Sequence, residues 1–117
     1  MDDQEKSQYT VELTPTSKIF FYEVVEYIYQ HHPADRAEEI ARELKQTAKS
    51  LNHNPNRGTA ERRLKRRPQN YQFVLYHRTK RSDIKIIYYV DETNKMVYVT
   101  DFFPTEKDDM EMVNRNK

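Results

Sequence analysis

The apolar residues of this chain change period once, and that change constrains the fold more than any other feature. From residue 16 to residue 52 they recur every three or four positions, as amphipathic helices require; from residue 71 to residue 103 they alternate or run continuously, as strands require. Phe20, Val24, Tyr27, Ile28 and His31 share one helical face, widened by Ile19, Phe21 and Val25, until HHP stops the run. Thr14 before Pro15 has the form of an N-cap followed by a proline at the first helical position, where a missing N–H costs nothing. The spacing predicts a first helix over 16–32. Ala37, Ile40, Ala41, Leu44, Ala48 and Leu51 predict a second over 34–52, and the short HHPA link makes the two an antiparallel hairpin.

Strands flank the helices. Tyr9, Val11 and Leu13 alternate with polar residues over 9–14 until Pro15 ends them. NHNPNRGT is turn chemistry, and after it Tyr71, Phe73 and Leu75 alternate, Ile84 to Val90 is continuous, and Met96 to Phe103 is again rich in Val, Tyr and Phe. HRTKRSD and DETN are short enough to join these three as antiparallel hairpins. The expected architecture is α+β, in the order βααβββ, with an antiparallel sheet carrying the helical hairpin on one face. Residues 1–8 read as a flexible N-terminal tail, 9–109 as one domain and 110–117 as a polar C-terminal tail.

A chain of 117 residues holds one apolar core. It has no cysteine, which removes disulfides, thiolate metal sites and thiol nucleophiles. Its lone glycine, Gly58, removes glycine-rich phosphate loops. No run of eighteen apolar residues exists and the first twenty residues are polar, so the expectation is a cytoplasmic protein with no membrane partner. Net charge is only +1, yet residues 57–85 carry ten basic side chains against two acidic ones. A block of that sign suits a polyanion or an acidic protein segment.

Four pieces in this order resemble the RelE/ParE superfamily of small bacterial toxins: VELTPTSKIFFYEVVEYI, LNHNPNRG at the end of the second helix, YQFVLYHRTKRSDIKIIYYVDE, and MVYVTDFFPTEKDD. The third holds the superfamily's basic-apolar-apolar-Tyr-x-Val-Asp strand, here beginning at Lys85. The resemblance implies a growth-arresting toxin of a type II toxin–antitoxin pair, neutralised by a cognate antitoxin, with no cofactor. It implies one of two targets. Members similar to RelE cut ribosome-bound mRNA through the ribose 2′-OH; members similar to ParE inhibit DNA gyrase. In the ribonuclease pattern, basic residues stand two apart on the second strand, where Gln72 and Val74 stand here; arginine begins the third-strand motif, where Lys85 stands; and a tyrosine lies near the C-terminus, where none follows Tyr98. These departures lean toward ParE-like gyrase inhibition. A degenerate member that only binds antitoxin is the third alternative.

If the chain is a metal-independent endoribonuclease, His77 is the expected proton carrier, and Arg81 and Lys85 the cations around the phosphate. Arg78 and Lys80 lie on the same hairpin. The alternative is an ordinary solvated turn. Arg62, Arg63, Lys65, Arg66 and Arg67 form the expected surface for nucleic acid or an acidic partner, with Tyr71 stacking on a base. His31 and His32 read as caps at a helix end and not as metal ligands, and no metal site is expected. Asp108, Asp109 and Glu111 read as a solvated tail or as an internal counterweight to the basic block.

Overall fold

A computed structural model of the chain describes residues 8–116. The tail expected over 1–8 therefore lies, apart from Gln8, outside the described residues. Strand β1, Thr10–Leu13, leads into helix α1, Pro15–His31, and helix α2, Ala34–Lys49; then come β2, Thr59–Ala60, β3, Gln72–His77, β4, Asp83–Asp91, β5, Met96–Pro104, and a last helix α3, Asp109–Arg115. Pro15 starts α1 as the sequence predicts, and the Thr14 hydroxyl accepts the Ser17 N–H at 3.2 Å, satisfying one of the open donors of the first turn. The second helix is α-helical only to Lys49. A 3-10 turn over Ser50–Asn52 completes the expected span and buries Leu51.

The strands form one sheet in the order β1-β5-β4-β3-β2. The hairpins β3–β4 and β4–β5 are antiparallel as expected, but β1 lies parallel to β5, with Val11 opposite Val97 and Leu13 opposite Val99. The sheet is thus mixed. Apolar alternation reports which face a residue takes and is silent on strand direction, so nothing local could have marked this pairing. The two-residue β2, inside the loop region of the sequence reading, caps the far edge beside β3.

Both faces of the sheet are covered. Ile84, Ile86, Tyr88, Val97, Val99 and Phe102 pack against Val24, Ile28, Ile40 and Leu44 of the helical hairpin. On the other face Ile87 and Phe103 pack with Leu64, Tyr71 and Met112. A register shift between Ile87 and Tyr88 pairs Ile87 with Asp101 and Tyr88 with Val99. The extra residue, Thr100, reverses the alternation of β5, so that Asp101 and Phe103 join the second face while Phe102 stays with the helices. Of the stretch read as a polar tail, most is the helix α3, capped by the Asp108 carboxylate and anchored by the fully buried Met112. Its single turn pair shows too little periodicity to be seen without its packing partner.

Candidate functional site

The β3–β4 ladder sets His77 opposite Asp83, Leu75 opposite Lys85 and Phe73 opposite Ile87, all on the face away from the helical hairpin. His77 and Lys85 therefore share a face, as the sequence reading requires. Each already has a partner. His77 Nδ1 lies 2.6 Å from Asp83 Oδ1. The Lys85 ammonium donates to Glu61 Oε1 at 2.7 Å and sits 4.2 Å from the centre of the Phe73 ring. Glu61 is 4% exposed, and its other oxygen accepts the Arg63 N–H at 3.1 Å, capping the 3-10 turn Arg62–Leu64. One carboxylate thus fixes both the turn that carries the basic run and the cation of the third-strand motif.

Arg78 is separated from this group. It is 8% exposed and turned toward the α1–α2 link, where Nη1 donates to His32 Nε2 at 2.9 Å, Nη2 stands 3.5 Å from Glu106, and the guanidinium lies over the Tyr27 ring. Burial first, then the Arg78 charge, holds the His32 pKa below its ordinary value, so this imidazole serves as a neutral acceptor. His32 occupies the C-cap position of α1, and His31 in the last turn contacts the Tyr27 carbonyl at 2.9 Å. Lys80 and Arg81 are exposed at the turn, their side chains without a partner among the described residues.

The basic run is sorted by direction. Arg63 pairs with Asp109 of α3 at 2.8 Å, and Arg67 donates to the carbonyls of Val113 and Asn116 at 2.9 and 3.0 Å. Leu64 between them enters the second core. Arg62, Lys65 and Arg66 point outward, exposed and unpaired among the described residues. Tyr71 does not offer a stacking face: it is buried and meets Tyr89 edge-on at 5.5 Å. Of the acidic C-terminal residues, Asp109 does counter the basic block, while Glu111 faces Lys107. Among the described residues no three metal-binding side chains cluster, and no helix is long and apolar enough to cross a membrane.

The family model described as ParE toxin of type II toxin-antitoxin system, parDE, matches residues 11–109. This chain belongs to that family. It is accordingly the toxin of a type II toxin–antitoxin pair, and the family implies a cognate antitoxin as its partner. No curated protein and no solved structure gives a significant match.

Sequence reasoning missed two groups that hold this ParE-family toxin together. Glu61 carried a signal, being the one acid that opens a run of cations. Asp101 and Arg115 carried none, because the bulge and α3 bring them together. Asp101 is fully buried and accepts from Arg115 at 2.7 Å and Asn116 at 2.9 Å. Desolvation outweighs the Arg115 charge and raises its pKa from 3.8 to about 6. A carboxyl whose folded value lies above its unfolded one contributes stability at low pH and loses it as pH rises through the folded value. From pH 4 to pH 7 that loss is on the order of 3 kcal/mol. His32 runs the opposite way, its contribution being lost as pH falls, so the comparison must isolate Asp101. Urea unfolding of wild type and Asp101→Asn should therefore diverge with pH, the wild type losing ground to the variant as pH rises from about 4 to about 6 and no further above about 7. Parallel pH curves would refute the assignment.

Proposed function

We propose that this toxin arrests growth by binding its target, as a ParE-like inhibitor of DNA gyrase, and not by cutting mRNA. The observation that carries this reading is the Lys85–Glu61 pair. A ribonuclease of this family's kind needs free cations around a pentacoordinate phosphate. Here the cation at the start of the third-strand motif is neutralised by a carboxylate that is itself buried, and a phosphate would have to displace it. Arg78 faces the helices, Arg81 stands at the turn, and Gln72 and Val74 replace the second-strand cations. The groups for proton transfer and charge stabilisation thus do not converge on one phosphate.

The test is direct. Purified toxin should block gyrase supercoiling of relaxed plasmid, and the variant His77→Ala/Lys85→Ala should retain most of the growth arrest seen on induction. New RNA 5′ ends on induction, lost in the double variant together with toxicity, would establish the ribonuclease reading instead. Full supercoiling at excess toxin, with no arrest on induction, would support the degenerate, antitoxin-binding reading.

A further inference from the structure

A cavity of about 320 Å³ opens where α1 meets the end of β5 and α3. That volume falls within the range of clefts that enclose small organic ligands, roughly 300–1,000 Å³. Its floor and its mouth differ in chemistry. The floor is apolar: Val24, only 4% exposed, lies with Pro104 and the Tyr27 side chain. The Tyr27 ring is held in place by the His31 ring at 4.0 Å and the Arg78 guanidinium at 5.1 Å, so this wall is preformed. The mouth is charged, with Glu23, Glu106 and Lys107 exposed and Arg115 half-buried beside them. Two of these four are engaged elsewhere. Glu106 accepts the Ser82 hydroxyl at 3.0 Å and stands 3.5 Å from Arg78, and the Lys107 ammonium faces Glu111 at 3.4 Å. The other two keep open groups. Glu23 has no partner among the described residues, and Arg115 commits Nη2 to Asp101 while its Nη1 has none among them.

The lining thus holds two carboxylates and two cations over an apolar floor, and its open groups are one of each sign. A ligand of single charge meets repulsion from half of that rim, whereas a zwitterion satisfies both halves. We propose that this cavity binds a free α-amino acid with a large apolar side chain, its ammonium at Glu23, its carboxylate at Arg115 Nη1 and its side chain on Val24 and Pro104. An apolar side chain inserted by a protein partner fits the floor less completely. An internal peptide residue carries neither an ammonium nor a carboxylate, so it leaves both open groups without a charged partner. A nucleic acid is disfavoured by Glu23 and Glu106, which stand where its phosphates would have to come. Filling the site does not undo the fold, because a carboxylate on Nη1 leaves the bond from Nη2 to Asp101 in place. The proposal is independent of how the toxin arrests growth.

The experiment is calorimetric titration of full-length toxin with L-phenylalanine near neutral pH, for which a Kd on the order of 1 mM is expected of a ligand this small. Two analogues of the same ring each lack one charge. Phenethylamine has no carboxylate and 3-phenylpropionate no ammonium, and each should bind about tenfold more weakly, the loss of one charged hydrogen bond. Glu23→Gln removes the anion from an exposed side chain that holds nothing else in place. It should weaken L-phenylalanine about tenfold and leave 3-phenylpropionate unchanged, a selective loss that mere damage to the cavity cannot produce. No binding of L-phenylalanine up to about 10 mM overturns the proposal. So does equal affinity for all three ligands, which would show apolar contact alone, and so does an affinity for L-phenylalanine that Glu23→Gln leaves unchanged. Loss of affinity for the purified cognate antitoxin in Glu23→Gln, with no binding of L-phenylalanine to the wild type, would assign the cavity to a partner's side chain and equally overturn it. Because ligand affinity is read without toxicity, failure here is distinct from failure of the gyrase reading, which shows only in the supercoiling assay.

Discussion

Replacing Arg115 by alanine is expected to destabilise the toxin by about 3–5 kcal/mol at pH 8, the range for breaking one side of a buried ion pair. Arg115 of α3 is tied to two other parts of the fold, β5 and α1. Its Nη2 donates to Asp101 of β5, its guanidinium lies 3.7 Å from the centre of the Phe20 ring of α1, and it stands 5.3 Å from that of Phe103. Removing it strands a carboxylate that is 0% exposed, with the amide of Asn116 as its remaining side-chain partner. The loss should depend on pH in a definite sense. Below about pH 6 Asp101 takes up a proton and no longer needs a counter-charge, so the same substitution should cost less at pH 5 than at pH 8. Arg115 Nε is buried without a hydrogen-bond partner, so the pair is dearly desolvated, and Arg115→Met/Asp101→Asn should recover most of the stability. Urea midpoints for the wild type and these two variants at both pH values settle the matter; a cost for Arg115→Ala that is equal at pH 5 and pH 8 would contradict this account.

Gly58→Ala is expected to cost about 3 kcal/mol through overpacking, with no contribution from backbone strain. Gly58 has φ −74°, which any residue can adopt. The obstacle is space. A Cβ built there would collide with the Tyr88 hydroxyl and stand 2.9 Å from the Phe73 carbonyl. Tyr88 cannot yield, being fully buried among the residues between sheet and helices and donating to the Pro55 carbonyl at 2.5 Å. Tyr88→Phe alone should cost about 1 kcal/mol for that hydrogen bond. Combined with Gly58→Ala it should give back part of the alanine's cost, because the hydroxyl is the nearer of the two obstacles. Strictly additive losses in the double-mutant cycle would show that the contact with Phe73, or a shift of the loop, is what matters.

The helical hairpin was legible because its signal is local. A helix repeats every 3.6 residues, so Ala37, Ile40, Leu44 and Ala48 announce their shared face within about three turns, and the Thr14–Pro15 start is written in two adjacent residues. The three long strands were legible for the same reason, and the register of β3 with β4 did place His77 and Lys85 on one face. Membership of the toxin family was also within reach, since the order of the elements and the Lys85 strand motif survive in a chain that gives no other significant match.

The candidate site was legible only as composition. Charge along a sequence does not say where each side chain goes, and here adjacent arginines part company: Arg62 meets solvent while Arg63 binds Asp109, forty-six residues away. Arg78 looks like its neighbours Lys80 and Arg81 but is buried against His32, since a long side chain at the end of β3 can reach the helical link. The fates of Lys85 and Asp101 were set in the same way, by Glu61 from a loop and by Arg115 from the last helix. The amino-acid sequence by itself determined the helices, the long strands and the concentration of positive charge, because each depends on residues a few positions apart. The tertiary structure alone decided the parallel β1, the open β2 edge and which cations remain unpaired, because those outcomes depend on groups that meet only when distant segments share a sheet face or edge.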